Sequence, residues 1–282
     1  MSLQNGAFKK AYFEITNVCN AACTFCPGNS REPHFVSDDE FDMVLAKLKG
    51  RVEYLYFHLM GEPLTHPLLP RFLTLAQERG FHPTVTTNGT LLRKRGQEIL
   101  DAGAYKVVIS LHSFEGEAGE RLSEYLTTVA NFAAAAADRG IIAVLRLWNR
   151  GHDGGKNDYT IEKLKQLLPG EWSENSRNIR VRKNLHVELG DRFIWPDKEA
   201  EVVSERVFCY GLRDHFGILV DGTVVPCCLD SDGVINLGNI FTEEIGDILS
   251  SKRAVAIKKG FDGRRPAEDL CRRCSYATRF NK

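Results

Sequence analysis

Short β-branched or aromatic runs alternate with amphipathic stretches along residues 11–191. This alternation predicts repeated strand–helix units around a parallel sheet. We expect six strands, at residues 11–17, 54–60, 82–88, 106–112, 142–149 and 179–189. Near-continuous apolar strands favour burial on both faces, as in a barrel or an open doubly wound sheet. Periodicity alone does not distinguish these two architectures.

The boundaries of the expected helices carry capping signals. Ser37 and Glu40 have the spacing of a capping box at the start of the first helix. Glycines follow four successive amphipathic stretches and precede the next strand, where a left-handed turn ends a helix. These glycines are Gly50, Gly80, Gly103 and Gly140. The repeated ending indicates that one strand–helix module recurs along the chain.

Charge and hydropathy exclude several classes of protein. The 282 residues include 37 basic and 37 acidic side chains, so the chain has no long-range field that attracts nucleic acid or anionic membranes. No run approaches the ~18 apolar residues of a membrane span, and the opening segment lacks the apolar core of a secretion signal. We therefore expect a cytoplasmic protein in which the eight cysteines are ligands or reactive thiols.

Three of these cysteines lie within eight residues, directly after the first expected strand. Their spacing is Cys19-x3-Cys23-x2-Cys26, and no fourth cysteine lies nearby in the sequence. A structural zinc site normally has four protein ligands, whereas a [4Fe–4S] cluster held by three cysteines leaves one iron for an exchangeable ligand. The spacing leaves three interpretations open: an iron–sulfur cluster, a zinc site completed by a distant ligand, or unligated thiols.

Polar and glycine-containing segments follow the next three expected strands. Gly61-Glu62-Pro63 follows the second strand, Thr87-Asn88-Gly89 ends the third, and Ser110 lies at the end of the fourth. In a parallel strand–helix barrel, the carboxyl ends of the strands form the reactive face. We therefore expect these segments and the cysteines to face one cavity, although each segment taken singly also suits an ordinary turn or strand end.

The motifs CNAACTFCP, MGEPLTHP, TTNG and ISLH together resemble the radical S-adenosylmethionine (radical SAM) superfamily over most of residues 11–191. The resemblance implies an α/β fold, a partial (β/α)6 TIM-like barrel. It also implies a [4Fe–4S] cluster on Cys19, Cys23 and Cys26, whose free iron binds S-adenosylmethionine. The implied cofactor-binding residues are Phe25, Gly61, Glu62, Pro63, Thr87, Asn88 and Ser110. Met60 departs from the family pattern, which often has glycine at this position.

Five further cysteines lie nearer the carboxyl end: Cys209, Cys227, Cys228, Cys271 and Cys274. On spacing alone, a hairpin that carries Cys227 and a terminal CxxC pair favour a structural zinc ribbon. Together with the first cluster, they resemble the SPASM/twitch extension of radical SAM enzymes, a small α+β domain with auxiliary iron–sulfur clusters. The resemblance implies one auxiliary [4Fe–4S] cluster. Its implied ligands are Cys209, Cys227, Cys271 and Cys274, with Cys228 as a spare thiol.

The chain is therefore predicted to contain three segments. Residues 1–191 are expected to form the radical SAM barrel, residues 192–204 a charged linker, and residues 205–282 the auxiliary-cluster domain.

The resemblance implies an oxidoreductase that reductively cleaves S-adenosylmethionine to a 5′-deoxyadenosyl radical, which abstracts hydrogen from a substrate. An auxiliary cluster with four thiolates has no open iron, which favours electron transfer and a net oxidation. The size and cysteine layout resemble the alcohol dehydrogenases of this superfamily, and this resemblance implies a small polyol or amino sugar as the substrate. The alternatives are an enzyme that modifies a peptide or protein, and a zinc-binding interaction module without activity. An external donor such as flavodoxin or ferredoxin is expected. No catalytic residue is assigned, because strand histidines such as His58 and His112 are more often structural.

Overall fold

The computed structural model describes residues 8–114, 119–175 and 178–280. The described residues divide into two compact units. The first unit contains the residues up to Gly61, Ala76–Phe81 and the residues from Phe193 onward, and the second contains Glu62–Leu75 and His82–Arg192. This division rests on compactness, and the division into segments 1–191, 192–204 and 205–282 stays a prediction.

The elements follow one another in a strand–helix alternation over the first two thirds of the chain. The strands are β1 (Lys10–Phe13), β2 (Tyr54–Tyr56), β3 (His82–Thr87), β4 (Lys106–Ser110), β5 (Ile142–Arg150), β6 (Ser173–Asn175), β7 (Asn178–Arg182), β8 (Leu185–Asp191), β9 (His215–Ile218) and β10 (Val224–Val225). The helices are α1 (Asp38–Leu48), α2 (Leu69–Glu78), α3 (Leu92–Ala102), α4 (Gly119–Asp138), α5 (Lys156–Leu167), α6 (Ile245–Ser250), α7 (Lys252–Asp262) and α8 (Asp269–Arg272). Among the described residues, no helix is both long and apolar enough to cross a membrane.

The first unit is built around β1, which pairs in parallel with β2 on one side and with β9 on the other. β10 returns antiparallel to β9 through a turn at Asp221-Gly222, which forms the hairpin that the sequence predicts before Cys227. Alternate residues of β1 point to opposite faces of the sheet. Phe13 is fully buried and stacks on Phe41 of α1, with ring centroids 5.7 Å apart. The other face of β1 carries Tyr12.

The second unit contains four parallel strands in the order β3, β4, β5 and β8. β7 and β6 continue the sheet in antiparallel pairing. Most apolar residues of β4 and β5 are buried, including Val107, Ile109, Ala143 and Leu145. The α/β class with a parallel core is therefore as predicted, and β1 to β5 each overlap an expected strand.

One predicted element is wrong in its extent. The expected strand at 179–189 is two antiparallel strands, β7 and β8, because Asn184 adopts a left-handed turn with φ of 61°. Nearer the carboxyl end, α6 and α7 are separate helices, and the side chain of Ser251 caps the start of α7. The capping box of Ser37 and Glu40 is confirmed.

Candidate functional site

The segment that carries the first three cysteines leaves β1 and returns beside it as a closed loop. Thr16 donates a hydrogen bond to the carbonyl of His34 at 2.8 Å. Asn17 donates to the carbonyl of Glu32 at 2.9 Å and accepts from the backbone N–H of His34 at 2.8 Å. Both side chains are buried, so the root of the loop is fixed while its middle stays near the surface.

The middle of this loop presents the predicted cluster ligands. Cys19 and Cys26 are exposed and Cys23 is half-buried, and none of the three forms a disulfide within the described part of the chain. The backbone N–H of Cys26 donates to the carbonyl of Cys23 at 3.1 Å, which forms a tight turn between them. Phe25 lies half-buried in that turn. Three reduced thiols on one short loop are a donor set that suits an iron–sulfur cluster.

A buried ion pair that the sequence motifs do not indicate anchors the same loop. Arg31 donates two parallel hydrogen bonds of 2.7 Å to the carboxylate of Glu14, which is 0% exposed. That carboxylate also accepts from the backbone N–H groups of Met60 at 3.0 Å and Val220 at 2.9 Å. Arg31 further donates to the carbonyl of Ser231 at 2.9 Å. Glu14 therefore joins the cysteine loop, the end of β2 and the carboxyl-terminal hairpin within the first unit.

Gly61 backs directly onto the root of the cysteine loop. A Cβ atom built on Gly61 lies 2.3 Å from the backbone oxygen of Thr16, and the residue has a φ of +74°. Both the close approach and the left-handed backbone require glycine here.

Replacement of Gly61 by alanine is expected to destabilise the protein by about 2–5 kcal/mol, because overpacking against backbone adds to the left-handed strain. The matched control is Gly28→Ala, since Gly28 has a φ of +68° and a Cβ atom built on it meets no other atom within 4 Å. Thermal unfolding of the two variants measures the difference. An equal loss of stability in both variants would show that the close approach of Gly61 to Thr16 does not add to the cost of the alanine side chain.

Glu62 and the end of β3 form a hydrogen-bonded cluster in the second unit. The Glu62 carboxylate is 2% exposed and accepts from the backbone N–H groups of Leu64 at 3.0 Å and Asn88 at 2.7 Å. Burial raises the pKa of this carboxyl, and these hydrogen bonds, with one from Thr87, oppose that rise. Tyr125 donates to the carbonyl of Asn88 at 2.8 Å. The structure thus brings together three predicted cofactor-binding residues, Glu62, Thr87 and Asn88.

Asn88 and Thr87 also have local structural roles. The side-chain oxygen of Asn88 accepts from the backbone N–H of Thr90 at 2.9 Å, and the hydroxyl of Thr87 accepts from that of Gly89 at 3.0 Å. Pro63 is buried at the start of a short 3-10 helix, Pro63–Thr65. Cofactor contacts from these residues stay predictions.

Ser110 lies in a row of polar residues that crosses three neighbouring strands of the second unit. It is in register with Arg146 of β5, and Arg146 is in register with Glu188 of β8. Arg146 Nε donates to Glu188 Oε2 at 3.2 Å, and the guanidinium carbon lies 4.2 Å from the centroid of the Trp148 ring. The neighbouring Leu145 points to the opposite face and is fully buried.

The histidines considered at the strand ends contact neighbouring backbone groups and aromatic rings. His112 is 9% exposed, and its Nδ1 lies 3.1 Å from the carbonyl of Arg146 and 3.4 Å from the backbone nitrogen of Trp148. His58 packs edge-on against Tyr12, with ring centroids 5.4 Å apart. These contacts agree with the structural interpretation of both histidines.

The carboxyl-terminal cysteines lie near enough to influence one another electrostatically within the first unit. Cys209 follows an extended segment, Cys227 follows β10, Cys271 lies in α8, and Cys274 precedes the 3-10 helix Ser275–Phe280. Burial raises the pKa of the Cys209 thiol to about 11. Burial also raises the pKa of Cys227, and the negative charges of Cys228, Cys209, Cys271 and Cys274 raise it further.

Thiols that raise one another's pKa are a donor set that a metal centre stabilises as thiolates. All four are free and half-buried, so the predicted auxiliary ligands fit an iron–sulfur cluster. In the described part of the chain, no group of three or more His, Cys, Asp or Glu residues is arranged around a single metal ion.

Cys228 has a different environment from the four predicted ligands. It packs with Tyr12 against the buried side chains of Leu59, Leu219 and Val225. The charge of Cys228 and a hydrogen bond to it raise the pKa of Tyr12, after the larger effect of burial. Cys227 and Cys228 lie in a turn after β10 and not on a regular strand. The alternation of side chains along a strand therefore does not place these two thiols on opposite faces. The spare role of Cys228 stays a prediction.

Two protein-family models match this chain, one over the segment with the first three cysteines and one over the segment with the carboxyl-terminal cysteines. A sequence model described as the radical SAM superfamily matches residues 13–174, which is more than half of the chain. A second, SPASM, described as an iron–sulfur cluster-binding domain, matches residues 209–275.

Similar proteins include two with different described activities. An S-adenosyl-L-methionine-dependent 2-deoxy-scyllo-inosamine dehydrogenase of Niallia circulans is 22% identical, over 95% of this chain and 93% of that protein. A probable GTP 3′,8-cyclase of Sulfolobus acidocaldarius is 32% identical, over 86% of this chain and 90% of that protein.

Solved structures show a similar fold at low sequence identity. BtrN in complex with AdoMet and 2-DOIA has a TM-score of 0.62 at 19% identity, covering 97% of this chain and 94% of that chain. SuiB of Streptococcus suis has a TM-score of 0.61 at 16% identity, covering 90% of this chain and 68% of that chain. The predicted fold class is thereby confirmed.

Proposed function

Because the chain belongs to the radical SAM superfamily, we propose that it dehydrogenates a small polyol or amino sugar. The chain is an enzyme that uses a [4Fe–4S] cluster and S-adenosylmethionine, and its SPASM segment holds auxiliary iron–sulfur. The observation that carries the substrate proposal is the row of Ser110, Arg146 and Glu188 on one face of the second unit.

This row combines donors and acceptors that suit hydroxyl and amino groups. Among the described residues, the ion pair of Arg146 uses Nε, so its two terminal nitrogens remain able to donate. The carboxylate of Glu188 accepts from hydroxyl or ammonium groups. The side chains of Arg146 and Glu188 are 20% and 29% exposed, so both are shielded but reachable from the face of the sheet. Trp148 adds an apolar wall beside the guanidinium.

The charge balance of the row favours a polyol over a nucleoside triphosphate. The phosphate oxygens of a triphosphate bind most strongly to cationic donors such as Arg and Lys. Here the guanidinium is paired with Glu188, whose charge repels a polyanion. The dehydrogenase of Niallia circulans, whose name specifies an amino cyclitol substrate, supports the same substrate class.

In this proposal Cys19, Cys23 and Cys26 hold the first cluster, and Cys209, Cys227, Cys271 and Cys274 hold the auxiliary cluster. When bound, the first cluster and S-adenosylmethionine supply one-electron cleavage of the cofactor and hydrogen abstraction. Phe25, Gly61, Glu62, Pro63, Thr87, Asn88 and Ser110 are proposed to position S-adenosylmethionine. Overall, S-adenosylmethionine and an alcohol give methionine, 5′-deoxyadenosine, a ketone and a proton. A reducing cytoplasm suits this chemistry because ligand thiols must stay reduced.

The substrate class is tested with 2-deoxy-scyllo-inosamine that carries deuterium on its carbinol carbons. Anaerobically reconstituted protein, reduced with dithionite, is expected to form equimolar ketone and 5′-deoxyadenosine that contains deuterium. Mass spectrometry measures both products. Deuterium-free 5′-deoxyadenosine with polyols, together with product formation from GTP or from a peptide, would reject the proposal in favour of a cyclase or a peptide-modifying enzyme.

Replacement of Arg146 by alanine is expected to raise the KM for the polyol by at least about tenfold, because a charged hydrogen bond contributes about 1.5–3 kcal/mol. Reductive cleavage of S-adenosylmethionine without substrate is expected to continue. The control is Arg180→Ala, since Arg180 is exposed on β7. A KM that is unchanged by Arg146→Ala, in protein with a normal melting temperature, would remove Arg146 from the substrate site.

A further inference from the structure

One surface of the first unit is strongly cationic although the whole chain is neutral. Residues 252–265 contain six basic side chains and one acidic side chain. The acidic one, Asp262, is paired with Arg213, and the basic Arg253 is paired with Glu268. The five remaining basic side chains are exposed and make no ion pair within the described part of the chain. They are Lys252, Lys258, Lys259, Arg264 and Arg265.

The geometry of α7 places part of this charge on its outer face. Ala254, Ile257 and Phe261 are at most 4% exposed and define the inner face of the helix. Lys252 and Lys259 lie two turns apart on the opposite side, with Lys258 at its flank. Because none of these cations contacts a carboxylate, the surface remains positive at neutral pH. We name it the α7 surface, which consists of the five basic residues above.

The inner face of α7 lies close to Cys209, one of the carboxyl-terminal cysteines. A Cβ atom built on Gly211 lies 3.6 Å from the Phe261 ring and 3.7 Å from the sulfur of Cys209. The carbonyl of Arg264 accepts a hydrogen bond of 3.2 Å from the backbone N–H of Val207, two residues before Cys209. The α7 surface therefore lies on the outer side of a helix whose inner face is next to Cys209.

We propose that the α7 surface is the docking site of a small acidic protein that carries one electron. Opposite charge steers association and orients the partner. The surface lies on the outer side of the helix that packs next to Cys209, a proposed ligand of the auxiliary cluster. This position favours a redox partner over other polyanions. An electron carrier benefits from docking near the ligands of a redox centre, whereas the binding of a nucleic acid does not depend on nearby cysteines.

The inference rests on the proposed function in one respect, the fate of an electron. In the dehydrogenation, the alcohol loses a hydrogen atom to the adenosyl carbon, and then a proton to water and one electron, as its C–O bond becomes C=O. An oxidised one-electron carrier accepts that electron and becomes reduced. The docking itself is independent of the substrate, so it is measured separately.

Binding of an acidic flavodoxin to the reconstituted holoenzyme tests the surface. The variant K258E/K259E reverses two adjacent charges on the α7 surface. The matched control R93E/K94E reverses two adjacent exposed charges on α3 in the second unit. Fluorescence anisotropy of labelled flavodoxin at low salt is expected to show at least tenfold weaker binding to K258E/K259E, and less than threefold weakening for the control. Raising the salt concentration is expected to reduce the difference.

Two further measurements separate the outcomes. Formation of 5′-deoxyadenosine driven by dithionite is expected to be equal in both variants and the unmodified enzyme, because dithionite needs no docking surface. Equal weakening by the two variants, or displacement of flavodoxin by an equal charge concentration of a DNA duplex, would overturn the docking proposal. Failure of polyol oxidation, with flavodoxin binding that is intact and sensitive to K258E/K259E, would instead overturn only the substrate proposal.

Discussion

Cleavage of S-adenosylmethionine is expected to fall to background when Cys19, Cys23 and Cys26 are all replaced by alanine. These thiols lie on one closed loop whose root is held by Thr16 and Asn17, and no other cysteine lies on that loop. Removing them eliminates the ligands of the first cluster but leaves the carboxyl-terminal cysteines in place. Iron content is therefore expected to fall by about half, from roughly eight to roughly four atoms per chain, if each site holds one cube.

Two controls make the expected loss specific. Cys228→Ala is expected to keep the full iron content, since Cys228 packs with Tyr12 and apolar side chains. Cys227→Ala is expected to lose the auxiliary iron and keep the first cluster, which is visible as an unchanged response of its electron paramagnetic resonance signal to S-adenosylmethionine. Undiminished 5′-deoxyadenosine formation by the triple variant contradicts the assignment of the first cluster.

The sequence predicts those parts of the fold and site that depend on local signals. The capping box at Ser37 and the strand positions follow from spacing within a few residues. The turn at Asn184 does not follow from spacing, because the strand pattern continues on both sides of it and only the left-handed backbone breaks it.

Contacts between residues distant in the chain are less accessible to sequence reasoning. The pair of Arg146 and Glu188 requires the register of β5 with β8, which spacing along the chain does not give. Glu14 shortly precedes the cysteine loop in the sequence. The sequence alone does not indicate which residues an acidic side chain in a strand will pair with. Its partners Arg31, Met60 and Val220 come from three separate segments. A charged residue within an otherwise apolar strand is the one signal that points to such a buried pair.

Replacement of Arg31 by alanine is expected to destabilise the protein by about 3–5 kcal/mol, because it leaves the fully buried carboxylate of Glu14 without its cation. The backbone N–H groups of Met60 and Val220 still donate to Glu14, but they do not neutralise its charge. Anaerobic thermal unfolding is expected to show a fall in Tm on the order of 10 °C.

The exposed pair of Arg139 and Asp101 provides a control with the same distance but different burial. Its N–O distance is also 2.7 Å, yet its side chains are 44% and 61% exposed. Arg139→Ala is expected to cost less than about 1 kcal/mol, since solvent already screens that pair.

A double variant separates loss of attraction from the cost of an unpaired buried charge. Adding Glu14→Gln to Arg31→Ala removes the charge, while the amide oxygen can still accept from one backbone N–H group. The double variant is therefore expected to be more stable than Arg31→Ala alone, although it lacks both charged groups. If Arg31→Ala costs no more than Arg139→Ala, the pair is not a buried anchor, and the cysteine loop must be held by Thr16 and Asn17 alone. If the double variant is less stable than the single one, hydrogen bonding by the carboxylate outweighs the cost of its unpaired charge.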